Sequence, residues 1–124
     1  MRLTFYGRPI TKKNSGRIVR AGKYPKLLPS KAYVQYEKDC LKQLTGTHRL
    51  NLEDAYNVKC TYYMPTRHKV DLTNLLNATM DILVAGEVLK DDNCKIVVSH
   101  DGSRVFYDKE NPRVEIEIEE VHGA

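Results

Sequence analysis

Three aspartates at the two ends of one segment are the residues of this 124-residue chain best suited to metal chemistry. Asp71 precedes a stretch with helical periodicity, and Asp91 and Asp92 follow that stretch after Gly86. Mg²⁺ takes a few carboxylate oxygens together with water and substrate phosphate, and it needs no dedicated protein cage. If the segment folds back on itself, the two acidic groups meet at one cation, which would stabilise charge on a phosphodiester and activate water.

Each acidic group also has a purely structural interpretation. Asp is favoured at a helix N-cap, where its charge complements the helix dipole, and spacing alone supports this role of Asp71 equally well. Asp91 and Asp92 are also typical of a polar turn that precedes a strand. Carboxylate spacing therefore leaves a metal site and a structural role both open.

The segment between the two acidic groups predicts an amphipathic helix from Leu72 to Val84. Its predicted core face spans an arc of about 120° on a helical wheel and contains Leu72, Leu75, Leu76, Thr79, Ile82 and Leu83. The adjacent arc contains Asp71, Asn74, Asn77, Ala78 and Asp81. Because Asp71 and Asn74 are three residues apart, they reach the same patch, whereas Asp81 lies at the far end.

The charges are unevenly distributed along the chain. The net charge is +4, yet the first 36 residues contain nine Lys or Arg and no Asp or Glu. Residues 9–29 have no periodicity and include three Pro and two Gly, which predicts a long basic loop. Such a distribution favours a polyanionic partner, although a solvated loop without a partner is the alternative.

Six basic residues are candidates for contacts with nucleic-acid phosphates: Lys12, Lys13, Arg17, Arg20, Arg67 and Lys69. The first four would track a DNA backbone, and the last two would neutralise phosphate beside the metal. These contacts would set affinity and salt dependence rather than base specificity.

Hydrophobic periodicity predicts an α+β fold, in which two main helices pack on a small mixed or antiparallel sheet. The first helix runs from Lys31 to about Leu44 and is capped by Ser30. The predicted strands are Arg2–Arg8, Asn57–Met64, Lys95–His100, Ser103–Tyr107 and the stretch that begins at Arg113. Asp101 and Gly102 are a hairpin signal between two of them. We expect one domain over residues 1–124.

Several classes of protein are disfavoured by what the sequence lacks. It has no apolar run of membrane-spanning length and no signal-peptide pattern at its start, so we expect a cytoplasmic protein without membrane contacts. It has no glycine-rich nucleotide motif, so we expect no nucleotide cofactor. Cys40, Cys60 and Cys94 are odd in number and lack paired spacing, which disfavours a disulfide framework or a zinc site.

The central motif resembles the RusA family of Holliday-junction resolvases. The resemblance rests on Lys69-Val-Asp71-Leu-Thr73-Asn74-Leu, then Asp81-Ile-Leu, then Leu89-Lys-Asp91-Asp92. The family pattern is Asp-x-Asp-Asn-Leu, a helix, and an Asp-Asp pair that opens a strand. The match is specific over about 30 residues, and the length, the basic loop and the element order extend it more loosely.

The resemblance implies a homodimeric, Mg²⁺-dependent endonuclease of bacterial or phage origin, for which Mn²⁺ would substitute. It implies cleavage of four-way DNA junctions by paired symmetric nicks, in recombination and repair. It further implies that Asp71 and Asp92 are metal ligands and that Asp91 supports the site or shares in ligation. Asn74 would then orient Asp71 or a metal-bound water.

This sequence departs from the family pattern at two positions. Thr73 stands where the family has a second Asp, and a hydroxyl is a weaker and neutral metal ligand. Asn77 stands where the family has a catalytic Lys, whose charge would have to come from Lys69, Lys90 or Lys95. Three functions therefore remain open: a junction-resolving nuclease with fewer protein ligands, a binder of branched DNA that does not cleave, and a general nuclease without junction selectivity.

Overall fold

The computed structural model describes residues 1–12, 17–22 and 24–123. Its strands are β1 (Arg2–Tyr6), β2 (Arg17–Ala21), β3 (Tyr24–Leu28), β4 (Tyr56–Met64), β5 (Val97–Ser99), β6 (Arg104–Tyr107) and β7 (Arg113–Glu120). Its helices are α1 (Lys31–Lys42) and α2 (Leu72–Ala85). Within these described ranges, neither helix has the length and apolar character needed to cross a membrane.

The main sheet is mixed, and the C-terminal strand lies in its interior. β7 pairs antiparallel with β1 on one side and with β4 on the other. β5 and β6 both pair parallel with the opposite edge of β4. One sheet face is buried against the apolar sides of both helices, and the predicted α+β architecture is confirmed.

Alternation along β4 creates the two faces of this sheet. Val58, Cys60, Tyr62 and Met64 are buried, as the period of two predicts, and the residues between them point away from the core. β7 follows the same rule, because its Val and Ile side chains are buried and its intervening charged residues are more exposed. The outer face is therefore polar and aromatic rather than aliphatic.

Helix α1 begins where the sequence predicts and ends two residues earlier. The Ser30 side chain accepts a hydrogen bond from the backbone N–H of Tyr33 at 3.1 Å, which satisfies one free amide of the first turn. Tyr33, Tyr36 and Cys40 are buried along the predicted stripe.

Helix α2 is more deeply embedded than its wheel predicts. Five of the six predicted core residues are buried, and Leu72 is half-buried. Ala78, which the helical wheel places on the polar arc, and Met80 are buried as well. A single apolar arc corresponds to contact along one side of a helix, whereas neighbouring elements cover a wider surface of α2.

The prediction of one long loop over residues 9–29 is wrong in its second half. β2 and β3 pair antiparallel there and form a separate two-stranded sheet. Gly22, at φ +66°, adopts the left-handed conformation in the turn between them. Ile18 and Val19 are too short an apolar run to predict a strand, since the stabilising backbone bonds come from the partner strand.

The predicted hairpin at Asp101 and Gly102 is also wrong. β5 and β6 follow one another along the same edge of β4 instead of pairing together. Asn57 Oδ1 accepts the Asp101 N–H at 2.7 Å, and Ser103 Oγ accepts the Cys60 N–H at 3.0 Å. Side-chain hydrogen bonds thus replace backbone ladder bonds in the gap between β5 and β6. The Asp101–Gly102 turn lies in this gap and does not form a hairpin.

Candidate functional site

Asp71 is the N-cap residue of α2, but its carboxylate does not cap the helix. Its backbone is extended, at φ −81° and ψ 122°, and its carbonyl accepts the N–H groups of Asn74 and Leu75 at 3.1 and 3.2 Å. The side chain makes no capping hydrogen bond. Oδ2 accepts instead from Asn74 Nδ2 at 3.2 Å. The exposed carboxylate is thus oriented by an amide and lies at the positive end of the helix dipole.

The remaining polar residues of α2 lie along one side of the helix. Thr73 and Asn77 are exposed, and Asn74 and Asp81 are partly exposed. Thr73 lies in the first turn, two residues after the N-cap. The side-chain hydrogen bond of the Asp71 carboxylate comes from Asn74.

The Asp91–Asp92 pair lies in a loop that organises its own backbone. Asp91 Oδ1 accepts the Asp92 N–H, and Asp91 Oδ2 accepts from Asn93 Nδ2, both at 2.8 Å. These two bonds, led by the one from Asn93, lower the pKa of the Asp91 carboxyl below its ordinary value. Both oxygens of Asp91 are thus engaged within the loop, while the Asp92 side chain is exposed.

The segment before this loop is fastened to residues 51–53. Leu52 N–H donates to Val88 O at 3.0 Å, and Lys90 N–H donates to Leu52 O at 2.9 Å. Lys90 Nζ also lies 2.7 Å from Glu53 Oε2. Val88 and Leu89 are fully buried. The backbone that leads into the aspartate pair is therefore held by hydrogen bonds and burial, and the Lys90 ammonium is paired with Glu53.

The hydrogen bonds of the candidate aspartates are local to each segment. Within residues 1–12, 17–22 and 24–123, no group of three or more His, Cys, Asp or Glu side chains is arranged to hold a metal ion. Asp71 is joined to Asn74, and Asp91 to its neighbours Asp92 and Asn93. Convergence of Asp71 and Asp92 on one cation stays a prediction. Their exposed carboxylates are the hard oxygen donors that Mg²⁺ prefers, and one or two such groups suffice with water and phosphate.

A basic cavity lies beside the segment that leads into Asp71. It has a volume of about 350 Å³, and its lining includes Arg8, Thr11, His68, Lys69 and Val70. His68 and Lys69 are exposed. Arg67, from the same loop, stacks on the Tyr107 ring, with its guanidinium carbon 4.2 Å from the ring centroid. Cationic side chains thus lie along the segment that leads into Asp71.

The four predicted phosphate-binding residues of the N-terminal segment do not share one location among the described residues. Lys12 Nζ lies 3.0 Å from Asp81 Oδ2 and 5.3 Å from the Tyr33 ring centroid. Lys13 lies outside the described residues. Arg17 and Arg20 belong to β2. The structure therefore brings Lys12 against the polar side of α2.

The contacts of Lys12 and Arg67 were not predicted, because both join residues far apart in sequence. Nothing in the local pattern around Asp81 indicates a lysine partner. Tyr107 was expected in a hairpin rather than at a sheet edge beside Met64. Pairing within the sheet, rather than any motif, decides these contacts.

Comparison with known protein families finds a match over most of the chain. The family model described as "Endodeoxyribonuclease RusA" matches residues 7–119, which includes both acidic groups and the basic segment. A search of curated proteins finds no match. On the family match, which spans most of its length, the chain belongs to the RusA endodeoxyribonuclease family.

Proposed function

We propose that this chain is a Mg²⁺-dependent endonuclease that resolves four-way DNA junctions by paired symmetric nicks. Residues 1–124 would act as one RusA-like domain, in the cytoplasm. The observation that carries the proposal is the Asp71 carboxylate, which stands at a helix N-terminus without capping it and is oriented by Asn74. Membership of an endodeoxyribonuclease family supports the reaction class.

Residues from both acidic segments would hold the metal, each in a different way. Asp71 and Asp92 would bind the ion, and Thr73 would contribute its hydroxyl. Asp91 would keep its loop in shape, since both of its carboxylate oxygens already accept hydrogen bonds there. When bound, Mg²⁺ supplies Lewis-acid polarisation of a phosphate oxygen and lowers the pKa of a coordinated water.

The cations of the loop before α2 would position the scissile phosphate. Lys69 lines the basic cavity next to Val70, so its ammonium would neutralise a phosphate close to Asp71. Arg67, which stacks on the Tyr107 ring, would contact the DNA strand that contains this phosphate. These side chains would align the phosphodiester, which is the main protein contribution to phosphoryl transfer.

The N-terminal basic residues would hold the arms of the junction. Lys12 is paired with Asp81, so DNA phosphate must compete with that carboxylate. Replacing both Lys12 and Lys13 with Ala should weaken junction binding and make its salt dependence shallower, because fewer counterions are then released. An unchanged salt slope would remove this segment from the DNA interface.

Paired nicking requires two sites related by symmetry, so we infer a homodimer. A two-fold dimer matches the approximate two-fold symmetry of a four-way junction, and each protomer would cut one of two opposed strands. Sedimentation analysis at the concentrations used for nicking tests this inference, and an active monomer would contradict it.

A nicking assay tests the proposal directly. A labelled four-way junction is incubated with the protein, with and without Mg²⁺. We expect Asp71→Asn and Asp92→Asn each to lower the nicking rate by orders of magnitude while junction binding stays nearly unchanged. Asp39→Asn is the matched control, because Asp39 is exposed on α1 and also accepts one side-chain amide bond. Full activity of either site variant would exclude that residue from the site.

A second candidate function is binding of branched DNA without cleavage. One observation favours it: Thr73 and Asn77 stand where the family pattern has an acid and a lysine. Junction binding with no metal-dependent nicking would support this alternative. Equal cleavage of junction, linear duplex and single strand at one salt concentration would instead indicate a general nuclease.

A further inference from the structure

The outer face of the main sheet carries a row of cationic and aromatic side chains at one end. Strand register aligns Arg113 of β7 with Tyr63 of β4, and Tyr63 with Phe106 of β6. The Arg113 guanidinium carbon lies 3.8 Å from the Tyr63 ring centroid. The Tyr63 and Phe106 rings stack with centroids 5.7 Å apart and planes at 25°. Three planar groups on three neighbouring strands thus form one continuous stack.

The inner end of this stack is fixed by ion pairs. Arg113 Nη1 donates to Asp108 Oδ2, and Arg113 Nε donates to Glu115 Oε2, both at 2.9 Å. These pairs neutralise Arg113, whose side chain is only 16% exposed. Arg113 is therefore placed to hold Tyr63 rather than to bind phosphate. A stack that is already ordered loses little conformational entropy when another planar group joins it.

The outer end of the stack is open. Phe106 is 46% exposed, which leaves roughly 100 Å² of a side chain of this size accessible. β6 is an edge strand, and β4 is the only strand that pairs with it in the described part of the chain. One flat aromatic surface therefore faces solvent at the end of a preformed stack.

Positive charge lies two residues away along the same strand. Arg104 is on the same side of β6 as Phe106, about 7 Å along the strand. Lys59 and Arg2 share the Glu117 carboxylate, at 3.4 and 2.7 Å, whereas Arg104 has no ion pair among the described residues. A depression of about 710 Å³ connects Arg104 to the stacked rings. An aromatic ring with a neighbouring unpaired guanidinium suits a base with its phosphate.

We infer that Phe106 is a stacking platform for one unpaired DNA base, with Arg104 at the adjoining phosphate. The inference rests on the proposed function, because it assigns to branched DNA a contact outside the metal site. Bases at a branch point lack part of their normal stacking, so they can extend the Arg113–Tyr63–Phe106 stack. The Arg67–Tyr107 contact places the loop toward Asp71 at the same end of β6, although Tyr107 and Phe106, as successive residues of one strand, project to opposite faces of the sheet.

A second copy of the chain fits this surface less well than a base. A stable dimer buries about 800 Å² on each partner. The exposed apolar side chains of β6 are Val105, Phe106 and Tyr107, each less than half exposed. Together they offer far less area than such an interface needs, while one base requires only one ring face.

Quenching of a fluorescent base tests the inference. A four-way junction carrying aminopurine at its branch point is titrated with protein in EDTA, so that no cleavage occurs. We expect the unmodified protein to quench the fluorescence, because aromatic stacking of the base does so. Phe106→Leu, which keeps an apolar side chain but removes the ring, should abolish most of the quenching and weaken binding about tenfold. Phe106→Tyr should quench normally.

Val105→Ala is the matched control, since it alters the neighbouring residue of the same strand, at similar exposure, and should leave quenching unchanged. Equal quenching by the unmodified protein and Phe106→Leu would overturn the inference. So would a change of oligomeric state in Phe106→Leu, which would identify the face as an interface between copies. Nicking without ring-dependent quenching refutes this inference alone, and ring-dependent quenching without nicking refutes the proposed nuclease alone. Failure to bind the junction refutes both.

Discussion

Replacing Asn74 with Ala removes the side chain that donates a hydrogen bond to the Asp71 carboxylate. Asn74 Nδ2 lies 3.2 Å from Asp71 Oδ2, and the residue is half-buried in the first turn of α2. Ala forms helix more readily than Asn, by roughly 0.5 kcal/mol, so the substitution should not weaken the helix. A loss of activity in Asn74→Ala would therefore report on the carboxylate and not on unfolding.

The size of the effect follows from the kind of contact. The hydrogen bond reaches a charged acceptor but is long and partly exposed, so its loss should cost about 1.4 kcal/mol, at the low end for such groups. This corresponds to about a tenfold loss in apparent Mg²⁺ affinity, which is at the lower limit of the usual range for residues behind a metal ligand. Asp71→Asn should cost much more, because it removes the charged ligand itself.

A Mg²⁺ titration of junction nicking measures this effect. Asn74→Ala should need about ten times more Mg²⁺ for half-maximal rate and should approach the unmodified rate at saturation. Gln35→Ala is the matched control, because Gln35 Nε2 donates to the Asp39 carboxylate at 2.8 Å on α1, in a similar amide-to-carboxylate pair. Junction binding in EDTA should be equal for all three proteins.

Three results would contradict the reasoning about Asn74. An unchanged half-saturating Mg²⁺ concentration would mean that the Asp71 carboxylate does not need this amide to bind metal. A tenfold weaker binding of the junction in EDTA would mean that Asn74 contacts DNA instead. A melting temperature below that of the unmodified protein would contradict the expected gain in helix propensity.

Three further predictions concern pH, reactivity and stability. The pKa of Asp91 is lowered in the folded state, so its stabilising contribution is present at neutral pH and is lost as pH falls from about 4 through that lowered pKa. The melting temperature of Asp91→Asn should therefore be below that of the unmodified protein at pH 7 and equal to it at low pH. Among the three thiols only Cys94 is exposed, and burial raises the pKa of each of the others to about 12; a thiol reagent at pH 8 should modify one cysteine quickly and three after denaturation. The Tyr62 hydroxyl and Thr79 Oγ1 lie 2.7 Å apart in the core. Thr79→Val should lower the free energy of unfolding by about 1–3 kcal/mol because it leaves the tyrosine hydroxyl without Thr79, whereas Tyr62→Phe should lower it by about 1 kcal/mol because Thr79 keeps its bond to Leu75 O. Denaturant unfolding that ranks the two variants in the opposite order would contradict this.

The sequence predicts this fold well wherever a local pattern coincides with burial. The alternation of β4 and β7 and the Ser30 cap of α1 are all found in the structure. Two strands of the 9–29 region and the parallel pairing of β6 were missed, because a strand is stabilised by a neighbour whose position local patterns do not contain. For the same reason Tyr63 could be placed on the outer face, but its ring partner Phe106 could not.

In the candidate site too, contacts between residues close in sequence could be predicted and contacts between distant residues could not. The position of Asp71 at the start of α2 and its closeness to Asn74 follow from the spacing of these residues. The engagement of Lys90 by Glu53 and of Lys12 by Asp81 does not, since each pair joins residues from different parts of the chain. The wheel also underestimated the burial of Ala78, because a single arc cannot represent neighbours on several sides.

The place of β7 between β1 and β4 has a consequence for biosynthesis. The first strand pairs with residues near the C-terminus, and the Met1 amino group donates to Ile118 O across 117 residues of chain. The sheet therefore cannot close during translation until β7 has left the ribosome, and its folding should be slow for its size. A chain released before Val114 would leave β1 and one edge of β4 without partners, which is the kind of exposed strand edge that aggregates.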